Sequence, residues 1–182
     1  EVARFHSHTD PETFRKNIAN PEIYSDYRHL TIVRNPWQQV ISYYWWSLAA
    51  NNYRKDYTPV SGDSIKSIRE KFNRWLDIYG SYPSYEREGE FLWNTPIGYI
   101  SEINEKFIKP VITDYIKFEN IRRDFNEFCD SVNISGLELK NHKRSMKKLT
   151  IAPGDYFDTW ANWKIKSKFK KTIERFDYKL GD

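Results

Sequence analysis

The sequence has little of what several common protein classes require. Its single cysteine, Cys129, excludes an internal disulfide framework and most cysteine-based metal clusters. It has no run of about 18 apolar residues, the length that a membrane-spanning helix needs. It contains no internal repeat and no low-complexity block, and no His, Cys, Asp or Glu residues follow a metal-ligand spacing. The sequence therefore predicts no metal and no membrane span, and the lone cysteine favours a reducing compartment, the cytoplasm.

The composition is that of a folded protein with an unusual share of aromatic rings. The 182 residues suit a single domain, because domains usually have about 100–200 residues. The content of 39% hydrophobic and 30% charged residues excludes a disordered tail. Aromatic residues make up 17%, so their rings must fill much of the core and leave some for a ligand surface. The net charge of +4 and the pI near 9.0 favour an anionic ligand.

Short β-prone runs alternate with helical patterns along the chain. The predicted strands are residues 2–5, 29–33 and 111–118. The predicted helices are residues 11–18, one that begins at Pro36, one that Asp63 caps, one that Asn120 caps, and residues 159–176. Buried strands separated by helices predict an α/β fold with a parallel sheet flanked by helices.

The spacing of apolar residues predicts which face of each helix is buried. In the helix from Pro36 this face has Val40, Ile41, Tyr44, Trp45 and Leu48. In the helix after Asp63 it has Ile65, Ile68, Phe72, Trp75 and Tyr79. In the helix after Asn120 it has Ile121, Phe125, Phe128, Cys129 and Val132, which makes Cys129 a core residue and not a nucleophile. In the last helix the anchors are Trp163, Ile165, Phe169 and Ile173.

The most informative stretch is the strand-to-helix junction at residues 29–46, HLTIVRNPWQQVISYYWW. The strand delivers Arg34 to its carboxyl end, where open α/β sheets bind ligands, and a guanidinium matches phosphate oxygens. The helix from Pro36 adds a positive dipole end with free backbone N–H groups, and Ser42 adds a hydroxyl donor about two turns later. These features predict a phosphate pocket. An ordinary turn in which Arg34 makes a structural ion pair fits the same residues equally well.

The junction resembles the 3′-phosphate motif of sulfotransferases that depend on 3′-phosphoadenosine 5′-phosphosulfate (PAPS). Residues 33–44 match the pattern strand-Val-Arg-Asn-Pro-Trp-x-x-x-(Val/Ile)-Ser-x-Tyr, including the spacing of eight residues between Arg34 and Ser42. The resemblance is closest to the carbohydrate-sulfotransferase-like branch found in bacteria and viruses. It implies a P-loop nucleotide-kinase-like architecture, PAPS as donor and PAP as product. It also implies that Arg34 and Ser42 bind the 3′-phosphate and that the acceptor is a hydroxyl, expected to belong to a saccharide.

Two further stretches resemble the same family in the same order. Residues 113–121, followed by Asp124-Phe125, are similar to its strand, Glu-Asn-Leu and Asp-Phe helix segment. The run KNHKRSMKK at residues 140–148 has six basic and no acidic residues, and falls where the family has a basic loop before its last helix. The resemblance implies nucleotide contacts from Lys143, Arg144, Lys147 and Lys148. Taken alone, such a run is more often a solvated surface.

One part of the family pattern does not occur in the sequence. The 5′-phosphosulfate loop, a turn rich in Lys and in Gly, Thr or Ser, should follow the first strand and precede residues 29–46. The chain starts at Glu1 and not at Met, so we expect this loop and its strand to lie upstream, with residues 1–182 forming a single sulfotransferase-like domain that lacks them. If the protein has no such loop, catalysis is in doubt while nucleotide binding survives.

Sulfuryl transfer to a hydroxyl needs a base within hydrogen-bond reach of the acceptor. His6 and His8 end the first predicted strand, and His8 with Arg15 matches the family segment His-x-(Thr/Ser/Asp)-x-x-x-x-Arg. The resemblance implies His8 as the base, with His6 in reserve. The alternative is that His8 only binds backbone at a strand end. For the acceptor we expect rings from residues 51–93 to stack on sugar faces, with candidates Tyr53, Tyr57, Tyr82, Tyr85 and Trp93.

Two other functions fit parts of the sequence. A nucleic-acid-binding protein would use the basic run and exposed rings, with binding that falls steeply as salt rises. The net charge of +4 is modest for that role, and the sulfotransferase hypothesis expects no nucleic-acid partner. A degenerate sulfotransferase fold would bind the nucleotide without turnover.

Overall fold

The computed structural model describes residues 11–17, 21–24, 26–50, 55–80, 101, 105, 112–139 and 151–181. The chain divides into two compact units. The first unit comprises Glu1–Arg34 and Glu102–Glu138, and the second comprises Asn35–Ser101 and Leu139–Asp182. The single domain expected over the whole sequence stays a prediction.

The described elements are mostly helices. In chain order they are α1 (Pro11–Asn17), α2 (Pro21–Tyr24), β1 (Leu30–Val33), α3 (Pro36–Ala50), α4 (Ile65–Gly80), β2 (Asp114–Lys117), α5 (Ile121–Ser131), α6 (Thr159–Lys168) and α7 (Lys170–Phe176). Short 3₁₀ turns lie at Lys55–Tyr57, Phe118–Asn120 and Pro153–Tyr156. The predicted α/β class is therefore confirmed at this coarse level. The predicted strand at residues 2–5 lies outside the described residues.

In the first unit, β1 and β2 form a two-stranded parallel sheet, as the sequence predicts. The register pairs Leu30 with Asp114 and Val33 with Lys117. Both strands therefore end at the same edge of the sheet. Arg34 and Phe118 are the residues that follow those ends, so the chain brings them to one place although they are far apart in sequence.

An ion pair lies at the amino ends of the two strands, between Arg28, which precedes β1, and Asp114, the first residue of β2. The Nε of Arg28 donates to Asp114 Oδ2 at 3.0 Å, and a second guanidinium nitrogen pairs with the other carboxylate oxygen. Arg28 Nη1 also donates to Ser131 Oγ at the end of α5, at 2.5 Å. This bidentate geometry fixes the start of β2 beside the residues that lead into β1.

Helix α5 begins where the sequence predicts, but its start is held differently. Asn120 occupies the N-cap position, and its side chain makes no capping hydrogen bond, so that part of the prediction is wrong. Instead the carboxylate of Asp124 accepts from the backbone N–H of Lys117 at 3.1 Å, which ties the helix to the end of β2. Cys129 is buried, which confirms it as a core residue.

In the second unit, α3 presents the predicted face to an aromatic core. Val40, Ile41, Tyr44, Trp45 and Leu48 are all buried, as is Trp37 one turn earlier. The rings meet mostly edge to face: Tyr44 and Phe72 have centroids 5.1 Å apart and planes 85° apart. Trp45 Nε1 donates to the hydroxyl of Tyr156 at 3.1 Å, so this polar group is satisfied inside the core. Aromatic rings thus form much of the core of this unit, with nine aromatic residues buried in it.

Helix α4 begins one residue later than the predicted cap implies. Ser64 is the capping residue, because its Oγ accepts from the N–H of Ser67 at 3.2 Å. Asp63 instead binds the ammonium of Lys71 at 2.7 Å and the N–H of Val60 at 2.8 Å. Ile65, in the first turn, is 49% exposed, so its predicted burial is wrong. The buried face of α4 has Ile68, Phe72, Trp75 and Leu76.

The single last helix predicted at residues 159–176 is two helices. The break is at Phe169, whose φ of −104° and ψ of 20° end α6 and precede α7. Ile165 and Phe169 are buried as predicted, but Trp163 is 56% exposed and is not an anchor. Trp163 and Ile165 are two positions apart, which places them on opposite faces of a helix. No described helix has both the length and the apolar character needed to cross a membrane.

Candidate functional site

The candidate site in the first unit lies at the carboxyl edge of the two-stranded sheet. Arg34 follows β1 directly and Phe118 follows β2 directly. Open α/β sheets commonly bind ligands just outside the carboxyl ends of their strands. The predicted placement of Arg34 at the end of a strand is confirmed.

The guanidinium of Arg34 stacks over a ring. Its Cζ lies 4.4 Å from the centroid of Phe118, within cation–π distance. Phe118 is 43% exposed, so the pair is at the surface although Arg34 itself is half-buried. The contact favours one position of the guanidinium, whose planar fork can make a bidentate contact with an anion.

One donor of Arg34 has no hydrogen-bond partner. The Nε is buried and unpaired among the residues that the structure describes. Burial lowers the pKa of Arg34, and the nearby Glu119 carboxylate raises it in partial compensation. A buried, incompletely satisfied cation is unfavourable in the free protein, and an anionic ligand that supplies an acceptor would relieve it.

Glu119 is the carboxylate that could take the place of an anionic ligand beside Arg34. Its charge stabilises the guanidinium, which is the ion-pair alternative that the sequence leaves open. However, this attraction is weaker than the desolvation that Arg34 suffers. The guanidinium is therefore stabilised only in part by Glu119, and its buried Nε has no acceptor among the described residues.

The start of α3 does not offer the free N–H groups that the sequence predicts. The side-chain oxygen of Asn35 accepts from Trp37 N–H at 3.0 Å and from Gln38 N–H at 3.4 Å. The backbone oxygen of Asn35 accepts from Gln39 N–H at 2.9 Å, and Pro36 has no N–H to offer. The helix is thus capped by its own chain, and that part of the predicted phosphate pocket is wrong.

Asn35 also connects α3 to the end of the chain. It is fully buried, and its Nδ2 donates to the backbone oxygen of Lys179 at 2.8 Å. Nearby, Trp37 Nε1 donates to Asn162 Oδ1 on α6 at 2.9 Å. Asn35 therefore uses both ends of its amide for structure, and its role is to position the helix and not to bind a ligand.

Ser42 lies about two turns into α3 and is half-buried. It belongs to the second unit, whereas Arg34 belongs to the first. The predicted contact of both side chains with one phosphate stays a prediction.

The remaining predicted site residues lie outside the described residues. These are the candidate bases His8 and His6, and the candidate nucleotide contacts Lys143, Arg144, Lys147 and Lys148. Of the rings considered for acceptor binding, Tyr53, Tyr82, Tyr85 and Trp93 also lie there. Tyr57 is described, and it packs half-buried against the aromatic core while its backbone oxygen accepts from the Tyr44 hydroxyl.

His29 has a structural role within the first unit. Its ring stacks on Tyr24 with centroids 3.8 Å apart, and its Nε2 lies 2.7 Å from the backbone oxygen of Tyr24. Its backbone N–H donates to Thr113 Oγ1 at 2.8 Å, which is also a structural contact. Among the residues described, no group of three or more His, Cys, Asp or Glu side chains is arranged to hold a metal ion.

No protein-family model, curated protein or solved structure matches this chain. The family resemblance therefore rests on the motif and on the order of the three stretches described above.

Sequence reasoning missed the contact between Arg34 and Phe118. A signal for it exists, since each residue directly follows a strand and the two strands were expected to be parallel. It also missed the capping role of Asn35. Asn followed by Pro is a common way to start a helix, and a buried amide at that position closes the helix end to external anions.

Proposed function

We propose that this chain is a PAPS-dependent sulfotransferase that transfers a sulfuryl group to an acceptor hydroxyl, most naturally of a saccharide. The observation that carries the proposal is the Arg34 guanidinium at the carboxyl end of β1. This guanidinium lies over the ring of Phe118, and burial lowers its pKa. Its buried Nε has no hydrogen-bond partner among the described residues. The motif at residues 33–44 supports the same assignment.

In this proposal Arg34 binds the 3′-phosphate of the donor through its planar guanidinium, with Ser42 as a second donor. Lys143, Arg144, Lys147 and Lys148 contact the nucleotide from the basic run. His8 removes the proton from the acceptor hydroxyl as the sulfuryl group transfers in line, and His6 is the reserve base. The product nucleotide is adenosine 3′,5′-bisphosphate (PAP).

Thermal-shift titration tests the nucleotide part of the proposal. A ligand at 100 times its dissociation constant stabilises a protein by about 2.7 kcal/mol. For a chain of this size we expect PAP to raise the melting temperature by about 5–10 °C. Adenosine 5′-monophosphate, which lacks the 3′-phosphate, should give a much smaller shift. Equal shifts with the two nucleotides would contradict the role of Arg34.

A sulfotransferase fold that binds nucleotide without turnover is the second candidate. Residues 1–182 contain no turn of the 5′-phosphosulfate type. Transfer of radioactive sulfate from labelled PAPS to a mixture of saccharides separates the two. Transfer that is lost in His8→Ala, while the PAP shift remains, supports the enzyme. A PAP shift without transfer supports the binding protein.

A further inference from the structure

A stacked pair of tryptophans lies on the outer face of α6, in the second unit. The ring centroids of Trp160 and Trp163 are 4.8 Å apart and their planes differ by 11°. The side chains are 52% and 56% exposed, whereas the opposite face of α6 buries Ala161 and Ile165. Two adjacent, exposed indoles contribute little to the core, and such surfaces commonly bind ligands.

Polar groups border the pair on one side. Asp77 Oδ1, from α4, accepts from Trp160 Nε1 at 3.3 Å and from the ammonium of Lys164 at 2.8 Å. The Lys164 nitrogen also lies 5.3 Å from the centroid of the Trp160 ring. These contacts fix the ring of Trp160 in the free protein, so a ligand would meet a preformed surface. We call Asp77, Trp160, Trp163 and Lys164 the tryptophan surface.

We propose that the tryptophan surface binds a neutral saccharide. A pyranose has a flat C–H face and an edge of hydroxyl groups. The C–H face can pack on an exposed indole, and the hydroxyl edge can hydrogen-bond to a carboxylate and an ammonium beside it. Ligand sites commonly combine an aromatic lining with a few polar groups in this way. The surface supplies both kinds of group on two adjacent helices.

The charge of the surface favours a neutral saccharide over a nucleic acid. A single-stranded nucleic acid also stacks its bases on aromatic rings, but it needs uncompensated positive charge for the phosphates. Here the ammonium of Lys164 is paired with Asp77, whose side chain is 54% exposed. The exposed carboxylate beside the rings would repel a phosphate backbone, whereas it accepts hydrogen bonds from sugar hydroxyls.

The inference goes beyond nucleotide binding and does not depend on it. Only the further step, that the bound saccharide is the acceptor of sulfuryl transfer, rests on the proposed function. The tryptophan surface lies mainly on α6, whereas the sequence predicted saccharide contacts from residues 51–93.

Ligand-observed NMR titration without nucleotide tests the inference. The probes are three neutral oligosaccharides, cellohexaose, chitohexaose and mannohexaose, with an oligothymidylate as the nucleic-acid probe. We expect at least one saccharide to bind the wild-type chain. Trp163→Ala should weaken that binding roughly tenfold, because it removes one stacking ring.

Trp46→Ala is the matched control. Trp46 is 45% exposed on α3 of the same unit, and its ring is tilted by 34° against Tyr43 in place of a parallel stack. We expect this variant to bind the saccharide as the wild type does. Because Trp163 is exposed, its removal should leave the circular dichroism spectrum and melting temperature unchanged. Asp77→Asn supplies a second variant, which should weaken saccharide binding and leave the stacked rings in place.

Three results would overturn the inference. The first is that none of the three saccharides binds, and the second is that wild type and Trp163→Ala bind the saccharide with equal affinity. The third is that the oligothymidylate binds the wild type more tightly than the saccharides do and that Trp163→Ala abolishes this binding. Failure of the proposed function would look different. In that case PAP would give no thermal shift while saccharide binding and its loss in Trp163→Ala would persist.

Discussion

The guanidinium of Arg34 is held in a position that is unfavourable for a charged group. Burial lowers its pKa, Glu119 compensates only in part, and its Nε has no acceptor among the described residues. Residues retained in such a state are commonly functional, because a structural role would be better served by a complete set of partners. The neighbouring Asn35 shows the contrast, since its buried amide is satisfied at both ends.

Replacing Asn35 should destabilise the second unit. Asn35→Ala removes the cap of α3 and the hydrogen bond to Lys179, and we expect the free energy of unfolding to fall by about 1–3 kcal/mol. Urea denaturation measures the change. Asn35→Ser is the control, because its hydroxyl keeps a capping acceptor and loses the donor to Lys179, so it should lose less. An unchanged midpoint in Asn35→Ala would contradict the capping role.

At the scale of elements, the sequence predicts the described strands and most buried helix faces. The apolar stripe of α3 is confirmed in full because five large residues at helical spacing leave one face to bury. Boundaries were less predictable. Asp63 and Ser64 are both good caps, and the contact of Asp63 with Lys71 decides between them. The break at Phe169 is a change of backbone dihedral angles at one residue, which the apolar periodicity of residues 159–176 does not reveal.

The ion pair at the start of the sheet predicts a dependence of stability on pH. The hydrogen bonds from Arg28, and a further one from Thr113, lower the pKa of Asp114. A carboxylate with a lowered folded-state pKa stabilises the protein above its unfolded-state pKa, about 3.9, and loses that contribution as pH falls through the folded-state value. We therefore expect the wild type to lose stability below about pH 4.

Asp114→Asn should be less stable than wild type at neutral pH, and this difference should shrink as the solution is acidified. Urea denaturation at a series of pH values measures it. Asp130→Asn is the control, since it removes an exposed carboxylate of α5. A difference between Asp114→Asn and wild type that stays constant across the acid range would show that the ion pair does not contribute in this way.

At the scale of the whole molecule, the two units are stabilised differently. The second unit has an extended aromatic core, whereas the first has a two-stranded sheet with an ion pair between its strands. The candidate site was predictable only in part. The strand-to-helix motif placed Arg34 correctly, but the stacking on Phe118 depends on the strand register, and the closure of the α3 terminus depends on the rotamer of Asn35.

Core and surface rings of the second unit should differ sharply in their effect on stability. Phe72 is fully buried and its ring contacts Tyr44, Tyr156 and Phe157 edge to face. We expect Phe72→Ala to lower the free energy of unfolding by about 3–5 kcal/mol, because it leaves a cavity. Trp163→Ala, at an exposed ring, should change it by less than about 0.5 kcal/mol. Similar losses in both variants, measured by chemical denaturation, would contradict the described core.

The most direct test of the central claim is a calorimetric titration of PAP into the wild type, Arg34→Gln and Arg122→Gln. Each variant removes one positive charge from the first unit, but the side chain of Arg122 is exposed on α5, whereas Arg34 is half-buried directly after β1. Loss of a charged hydrogen bond of about 2 kcal/mol predicts roughly 30-fold weaker binding in Arg34→Gln and near wild-type binding in Arg122→Gln. Equal affinities in the two variants, or no binding of PAP by the wild type, would contradict the assignment of Arg34 to the 3′-phosphate.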